Sequence, residues 1–353
     1  MVNENPRFSI NTLLTTMDER IKTRIDFLLN GHEKTKIQKK QAQYRNYYKD
    51  RRPKASIYDF YMDFLFGWAL EHGLFAEGSA TSKDSATAKA APSANPIHEH
   101  LQQLKAKKYD IYDLAALALI HYRITQKEPN QEFGPLFLDE AQDFGISIHY
   151  ALRTVLPDTY FTIMGDVSQN INYHTGLNDW EQLQQLFLTG EKDQFRLLQK
   201  SYRNTIEISE YAGKILDKAS SGQYKIEPVI RHGIPVQEQE FWSEMEAAEY
   251  IAEIIERQKD KGYSTAAIIC MSQEEAARAR KLLEEYLPLQ PKDSENFSQG
   301  TYLLPVHLVK GLEFDTVFLW NPNLRFHLQK PDTAKLLYVA ATRALHELHV
   351  VQS

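Results

Sequence analysis

Two carboxylates follow a short apolar run near the middle of the chain. Asp139 and Glu140 come directly after residues 136–138, Leu-Phe-Leu, and a strand of that kind would place them at the carboxyl edge of a sheet, where ligands bind in open α/β folds. In an ATPase with such a sheet, the first acid holds Mg²⁺ and the second orients or deprotonates the attacking water. An acid pair that opens a helix is also favoured by the helix dipole without any catalysis. The pair alone leaves both interpretations open.

A glutamine follows a second apolar run in a similar way. Residues 160–164 are followed by Gly165, Asp166 and, three positions later, Gln169. A glutamine just past a strand can donate a hydrogen bond to a γ-phosphate or position a water molecule. A turn built on glycine and aspartate explains the same residues without chemistry.

Two distant arginines, Arg203 and Arg343, each lie beside a hydroxyl residue, Thr205 or Thr342. Guanidinium groups match phosphate oxygens with two parallel hydrogen bonds, and an arginine supplied across a cleft can neutralise charge in a phosphoryl-transfer transition state. Isolated arginines more often form surface ion pairs of little energetic weight. The choice between these interpretations depends on what lies near them.

A further polar segment runs from His307 through Lys310, Gly311 and Glu313, ahead of an apolar run at 316–320. Its glycine allows close approach of the backbone to a ligand, although Lys310 and Glu313 can also pair with each other on a turn. Each segment is a weak signal alone, but five in this order are hard to assemble by chance. The sequence contains no G-x-x-x-x-G-K-[ST] loop, the backbone cradle for nucleotide phosphates.

Short apolar runs alternating with amphipathic helix patterns must position these side chains, and that alternation predicts a parallel sheet. The predicted strands are 136–138, 160–164, 195–198, 266–270, 302–305 and 316–320. The predicted helices in this part are 109–122, 146–156, 205–218, 245–259, 274–286 and 333–344, with a loop at 129–135. We expect a partial α/β domain followed by a complete one, with the boundary near Gly190.

The first part of the chain has a different, helical pattern. Apolar residues recur at three- and four-residue steps from 8 to 48, leading into a stretch rich in lysine, arginine and tyrosine up to Lys54. That stretch suits phosphate and base contacts or, more commonly, a solvated helix face. A second helix is predicted at 57–74, with its aromatic residues in a core. Residues 78–96, rich in Ser, Ala, Thr and Lys, are predicted to form a disordered linker.

Composition limits the function classes. At 353 residues the chain can form two or three domains, and its net charge of -6 argues against a globally basic coat for nucleic acid. Cys270 is the only cysteine, so an intrachain disulfide and a cysteine-based metal site are excluded; we expect it to be buried at a strand end. No apolar run is long enough to span a bilayer. We expect a cytoplasmic protein with no membrane partner.

The five segments together resemble the superfamily 1 helicases of the UvrD/Rep type. The resemblance covers the family's motifs II to VI, about the last two-thirds of the chain, and is carried most closely by Tyr-Val-Ala-Ala-Thr-Arg-Ala at 338–344 and Lys-Gly-Leu-Glu-Phe-Asp at 310–315. Within that group, the chain is similar to the HelD branch, which includes helicase IV-like proteins and HelD factors of bacterial RNA polymerase. The segments that carry the branch resemblance are 139–144, Trp180-Glu181, 200–203 and 231–235.

The resemblance implies a role for each matching residue. It implies that ATP and Mg²⁺ are the cofactors, that Asp139 serves Mg²⁺, and that Glu140 activates water. It further implies that Gln169, Arg203 and Arg343 reach the γ-phosphate, that Gly311 and Glu313 lie near the phosphate and ribose, and that His307 couples the nucleotide to bound nucleic acid. Tyr173 stands near the place where the family stacks an aromatic ring on a base.

The resemblance also implies an architecture: an α/β fold with two RecA-like P-loop NTPase motor domains, the first incomplete. The expected parts are a helical insertion-domain segment at 1–77, the linker at 78–96, the C-terminal half of the first motor domain at 97–190, and the second motor domain at 191–353. The phosphate loop and adenine-contacting segment would precede Met1, so we expect this chain alone to bind ATP poorly and to hydrolyse little or none.

Three functions remain open at this point. The first is the C-terminal portion of an ATP-dependent translocase or DNA helicase, of 3′–5′ type by family, that moves on single-stranded DNA or another nucleic acid. The second is an RNA polymerase-binding factor that uses ATP cycling to release nucleic acid. The third is a short regulatory protein that keeps the motor fold without turnover.

Overall fold

The structure is a computed structural model, and it describes residues 19–20, 22–24, 26–27, 34–51, 56–74, 96–125, 134–198, 200–219, 227–228, 231–291, 297 and 299–353. The described residues of Met1–Leu136 with Ser147–Phe161 form one compact unit, and those of Phe137–Ile146 with Thr162–Ser353 form a second. The expected linker at 78–96 lies outside the described residues except for Pro96. The domain boundaries expected from the sequence stay predictions.

The helices are α1 Lys34–Arg51, α2 Ile57–Glu71, α3 Pro96–Lys105, α4 Ile111–Thr125, α5 Ile146–Val155, α6 Glu181–Phe187, α7 Ile206–Ala219, α8 Glu244–Asp260, α9 Gln273–Leu283, α10 Leu324–His327 and α11 Pro331–Ala341. The strands are β1 Leu136–Leu138, β2 Phe161–Ile163, β3 Lys200–Ser201, β4 Glu227–Pro228, β5 Gln237–Glu240, β6 Thr265–Cys270, β7 Gly300–Pro305, β8 Phe314–Trp320 and β9 Ala344–Gln352. Short 3-10 helices are formed by Ala141–Asp143, Val167–Gln169 and Val306–Leu308.

In the first unit, α2, α3 and α4 pack on one another. Ser56 begins α2 with a reciprocal cap, because its side chain accepts from the Asp59 amide while the Asp59 carboxylate accepts from the Ser56 amide. Tyr61, Leu101 and Leu104 form the buried centre of this small cluster, and the Tyr61 hydroxyl donates to the buried Asp113 carboxylate at 2.8 Å.

The second unit is built on a five-stranded sheet of order β5–β9–β8–β6–β7, in which every neighbouring pair is parallel. Side chains alternate between the two faces of each strand, so Ala267, Ile269, Val317 and Leu319 face one side while Ala266, Ile268 and Phe318 face the other. The first set packs with α7 and α11, and the second set packs with α8 and α9. Helices cover both faces, as a parallel sheet requires.

The mixed α/β class with a parallel sheet is therefore confirmed, whereas the two RecA-like motor domains stay a prediction. The predicted strands at 136–138, 160–164, 266–270, 302–305 and 316–320 are present within a residue or two at each end. Cys270 is fully buried at the end of β6, as expected, and burial raises the pKa of its thiol to about 12. None of the described helices is long and apolar enough to cross a bilayer.

Three expectations are wrong. No strand forms at 195–198, where Phe195, Leu197 and Leu198 are exposed and have no layer to pack against; the strand is β3, two residues long. The last helix ends at Ala341, and Ala344 begins β9 instead. The aromatic residues of α2 do not all enter a core, because a helix buries only one face. The exposed ones are Phe60, Phe64, Phe66 and Trp68.

One carboxylate joins the starts of two sheet strands and gives a pH-dependent prediction. Asp315 accepts from the amides of Ser264 and Thr265 at 2.8 and 2.9 Å. Burial opposes these bonds, but they hold the pKa of Asp315 below its ordinary value of 3.8. A carboxyl with a depressed folded-state pKa contributes stability above its unfolded value, and that contribution is lost as the pH falls through the folded value.

We expect Asp315→Asn to lower the free energy of unfolding by about 1–2 kcal/mol near neutral pH, and the deficit to shrink below about pH 4. Urea denaturation of the variant and the unmodified chain between pH 3 and 7 measures this difference. The exposed Asp260 at the end of α8 provides the control variant Asp260→Asn. A deficit that stays constant over the whole range would contradict the assignment.

Candidate functional site

The carboxylate pair lies where β1 turns into a short 3-10 helix. Asp139 is exposed, and its carboxylate accepts from the Glu140 amide at 2.8 Å. Glu140 has a left-handed backbone conformation, with φ 52° and ψ 37°. That conformation is uncommon for a residue other than glycine, and strain of this kind clusters at functional sites. It turns the Glu140 side chain toward Gln142 and Lys310.

The Glu140 carboxylate accepts from the Gln142 side-chain amide at 2.5 Å and pairs with the Lys310 ammonium at 3.1 Å. Burial would raise the pKa of Glu140, but these hydrogen bonds and the charges of Lys310 and Arg343 hold it below its usual range. Lys310 also contacts the Asp143 carboxylate. Glu140 is therefore an ionised acceptor at neutral pH, and a proton acceptor is what a general base must be.

Gln142 joins the carboxylate segment to the loop that follows β2. It is fully buried; while its amide nitrogen reaches Glu140, its side-chain oxygen accepts from the Asp166 amide at 2.9 Å. Its backbone carbonyl accepts from the Leu177 amide at 2.8 Å. Its side-chain oxygen and its backbone carbonyl thus hold the two segments together.

Gln169 ends the 3-10 helix Val167–Gln169, which Asp166 caps by accepting from the Ser168 amide. The Gln169 amide nitrogen donates to the Asp166 carboxylate at 2.8 Å. This contact fixes which end of the amide is the oxygen, and that oxygen accepts from the Arg343 guanidinium at 2.7 Å. Two of the three residues for which the resemblance implies a γ-phosphate contact, Gln169 and Arg343, are thus bonded to each other.

Arg343 is almost completely buried, with 1% of its surface exposed. Besides Gln169, its guanidinium donates to the carbonyls of Val339 and Leu312 at 3.0 and 3.3 Å and to the Thr342 hydroxyl at 3.3 Å. Burial and then the nearby Arg203 lower the pKa of Arg343 to about 10. The group stays charged at neutral pH.

Arg203 lies near Arg343 and, unlike it, is paired with an acid. Its guanidinium contacts the Glu313 carboxylate at 2.7 Å, and both side chains are about 40% exposed. The neighbouring Asn204 is buried and donates to the carbonyls of Thr342 and Ala344 at 3.0 and 2.6 Å. The turn that carries Arg203 is thereby fixed to the backbone on both sides of Arg343.

Five of the residues singled out in the sequence therefore lie in one place: Glu140, Gln169, Arg203, Glu313 and Arg343. All belong to the second unit. The cluster presents two guanidinium groups, a side-chain amide and two carboxylates, with Arg203, Glu313 and Glu140 partly open to solvent. Guanidinium and amide donors bind phosphate oxygens, and carboxylates bind Mg²⁺ or accept a proton.

The remaining predicted residues are placed less closely. Asp139 is next to Glu140 in the chain, with its carboxylate turned to the backbone. Gly311 has a φ of 76° and free space where a side chain would begin, so its left-handed backbone is the reason for a glycine here. His307 is exposed, and the Tyr173 ring lies under the Lys335 ammonium, 5.3 Å from it. Their functional roles stay predictions.

Sequence reasoning missed Gln142, Asn204 and Lys335. Each makes contacts with residues far away in the sequence, and spacing gave no sign of those contacts. The sequence allows Lys310 to pair with Glu313, whereas in the structure it pairs with Glu140 and Asp143. The only sequence signal for Gln142 and Asn204 was their position inside segments already singled out.

A comparison with protein families matches residues 300–351 to the UvrD-like helicase C-terminal domain. This match includes Glu313 and Arg343 and spans β7, β8, α11 and most of β9. A search of curated proteins gave no match. The similarity to that domain is confined to residues 300–351, and the HelD branch is a matter for proposal.

Three solved structures show similarity over parts of the chain. The C-terminal domain of a possible DNA helicase from Lactobacillus plantarum WCFS1 is 27% identical, with a TM-score of 0.36, over 43% of this chain and 87% of that one. The PRRSV helicase is 16% identical, with a TM-score of 0.32, over 62% of this chain and 34% of that one. An arterivirus nonstructural protein 10 (helicase), solved with DNA, is 14% identical, with a TM-score of 0.32, over 63% and 40%. Scores this low do not establish a shared fold.

Gly165 tests how closely the loop after β2 approaches Gln142 in the segment after β1. A Cβ added to Gly165 would lie 2.3 Å from the Gln142 side-chain oxygen and 3.0 Å from the Trp180 ring, so Gly165→Ala must displace Gln142. We expect it to lower the free energy of unfolding by about 1–3 kcal/mol. Gly213→Ala is the matched control, because Gly213 lies inside α7 with free space around it, and we expect about 0.5–1 kcal/mol of stabilisation there. Chemical denaturation measures both; equal effects would contradict the close approach.

Proposed function

We propose that the chain supplies the catalytic and phosphate-sensing half of an ATP-driven nucleic-acid motor of the UvrD-like helicase type. The bond between Gln169 and Arg343, with Glu140 held nearby, is the observation that carries this proposal. It joins a residue after β2 to a residue after α11 at one partly open, charged site, as a γ-phosphate sensor requires. The family match over 300–351 supports the same class.

The residues present fit ATP with Mg²⁺. Arg203 and Arg343 offer donors to phosphate oxygens, and the exposed Asp139 carboxylate suits Mg²⁺, which prefers one or two carboxylates together with phosphate oxygens and water. Bound Mg²⁺ would neutralise charge on the transferring phosphoryl group. The sequence has no phosphate-cradling glycine loop, so we propose that another polypeptide segment completes the pocket.

Each side chain then has a distinct task. Glu140, ionised and oriented by Gln142, accepts a proton from the attacking water. Arg343 and Arg203 stabilise the negative charge that develops on the phosphoryl oxygens. Gln169 senses the phosphoryl group through Arg343, because the Gln169 side-chain oxygen accepts a hydrogen bond from the Arg343 guanidinium. Loss of the phosphate would leave this pair free to shift, and nucleotide-dependent shifts of this kind can be converted into stepping on a single strand.

A second candidate function is the HelD-type factor that releases nucleic acid from RNA polymerase. The segment 231–235, which resembles that branch, is tied to the site: the Arg231 guanidinium donates to the Arg203 carbonyl at 3.2 Å, and the Gly233 amide donates to Glu207 at 2.8 Å. Movement of Arg203 would therefore reach this segment. The 3′–5′ direction and the nucleic-acid preference rest on family resemblance.

Glu140→Gln in the full-length protein tests the general base. We expect kcat for ATP hydrolysis to fall by about 10²–10⁴-fold, whereas ATP affinity should change little because the substitution keeps the shape of the side chain. Single-turnover hydrolysis and nucleotide titration measure the two quantities. Glu285→Gln, at an exposed position, is the control. Unchanged hydrolysis in the Glu140 variant would refute the role.

Two purified assays separate the candidate functions. The motor proposal expects ATP-dependent unwinding of a 3′-tailed duplex in the absence of polymerase. The second candidate expects stable binding to purified RNA polymerase and ATP-dependent release of its nucleic acid, without unwinding of the free duplex. Unwinding with no polymerase binding would eliminate the second candidate.

A further inference from the structure

A buried lysine on α11 reaches the loop that carries Gln169. Lys335 has 2% of its surface exposed and lies about two helical turns before Arg343. Its ammonium donates to the Val167 carbonyl at 2.9 Å and to the Asn178 side-chain oxygen at 2.8 Å. It also lies 5.3 Å from the centre of the Tyr173 ring. An ammonium has three donors, and two oxygens and an aromatic face supply three partners.

Burying the Lys335 charge costs desolvation energy. An apolar side chain would fill the same space without that cost. Lysine is almost never fully buried unless paired. Burial lowers the pKa of Lys335 to about 8, and the negative charges of Asp166 and Asp179 oppose that shift. The group therefore remains mostly protonated at neutral pH, held by oxygens that belong to one loop. The contacts of the Lys335 ammonium with Val167 and Asn178 indicate that the charge stabilises the position of this loop.

The loop at 165–178 is organised around the same oxygen that Lys335 binds. The Asn170 side chain is fully buried and donates to the Leu177 carbonyl at 2.9 Å and to the Asn178 side-chain oxygen at 3.2 Å. Asn178 in turn donates to the Tyr173 carbonyl at 2.7 Å. Lys335 thus binds a loop whose own side chains already hold it in one conformation.

The segment from α11 to Arg343 consequently holds loop 165–178 at two separate points. One is the bond between Arg343 and Gln169, which a phosphate oxygen would compete for. The other is Lys335, whose partners Val167 and Asn178 are protein groups only.

We propose that Lys335 is a positioning residue that keeps loop 165–178 docked on α11, so that Gln169 and Arg343 stay within reach of each other while their partners change. The roles of Gln169 and Arg343 toward a nucleotide rest on the proposed function, whereas the docking of the loop does not. The two parts can therefore fail separately.

Hydrogen exchange of the 353-residue chain without nucleotide tests the docking. In Lys335→Met we expect amides at 166–178 to exchange at least about tenfold faster, while amides of β8 keep their protection. Lys335→Arg, which keeps the charge, should restore part of the protection. Lys281→Met removes an exposed lysine of α9 and should change neither region. Unchanged exchange at 166–178 in Lys335→Met would overturn the proposal.

A general loss of protection in Lys335→Met, including β8, would mean that the variant fails to fold. In that case Asn178→Ala decides, because Asn178 is exposed and its removal leaves the sheet untouched. The substitution takes one oxygen from Lys335 and also removes the bonds of Asn178 to Asn170 and Tyr173, so the backbone amide of Gln169, which Asn178 does not contact, should exchange faster. An unchanged rate at Gln169 would overturn the docking.

Turnover of the full-length protein tests the positioning role. Because Lys335 touches none of the groups assigned to the nucleotide, Lys335→Met should lower kcat by about 10- to 100-fold with little change in KM for ATP, and Lys335→Arg should recover part of kcat. A released loop with an unchanged kcat would overturn the positioning role. Absence of turnover in the unmodified protein would instead refute the proposed function, and the exchange result would still decide the docking.

Discussion

A buried guanidinium is the interaction on which the rest of the site depends. Arg343 is enclosed by carbonyls of α11 and of the turn before β8, and among the described residues its side-chain acceptor from a distant segment is Gln169. Leaving such a charge buried without acceptors would cost several kcal/mol. The loop after β2, the end of α11 and the start of β8 are therefore held to one arrangement, because each supplies an acceptor.

The parallel sheet explains why Glu313 and Arg343 lie close together. Glu313 and Arg343 each stand directly before a strand, β8 and β9, and neighbouring parallel strands begin at the same edge. The Phe314 amide donates to the Arg343 carbonyl at 3.0 Å and fixes that edge. Asn204 then attaches the Arg203 turn to the same backbone. The placement of Arg203, Glu313 and Arg343 in the cluster thus follows from strand order, with no need for these residues to be close in sequence.

The sequence predicted the elements whose residues are apolar in continuous runs. β6 and β8 are fully enclosed, so their composition alone identified them. β9 was not predicted because its buried residues include the polar Glu347 and His349, whose side chains lie 3.5 Å apart. Lys261 pairs with Glu347, and the Tyr250 hydroxyl contacts His349. These partners from elsewhere in the fold allow the polar residues to be buried. Residues 195–198 show the opposite error: their apolar side chains predicted a strand, but Phe195, Leu197 and Leu198 are exposed and no strand forms there.

For the site, residue type and order were enough to select Glu140, Gln169, Arg203, Glu313 and Arg343, but not to say which would touch. The contacts of Gln142, Asn204 and Lys335 depend on tertiary placement that one sequence does not encode in its spacing. Lys335 is the clearest case, because a lysine within a helix pattern is normally assigned to solvent, whereas here it is buried by a loop that lies far from it in the chain.

A crystal structure of the full-length protein with ADP, Mg²⁺ and aluminium fluoride would show whether Arg343 and Gln169 contact the transferring phosphoryl group. We expect the Arg343 guanidinium and the Gln169 side-chain amide to lie about 3 Å from the fluoride group, with the Glu140 carboxylate facing the water in line with it. A fluoride complex bound elsewhere, with Arg343 and Gln169 in contact only with protein groups, would contradict this expectation.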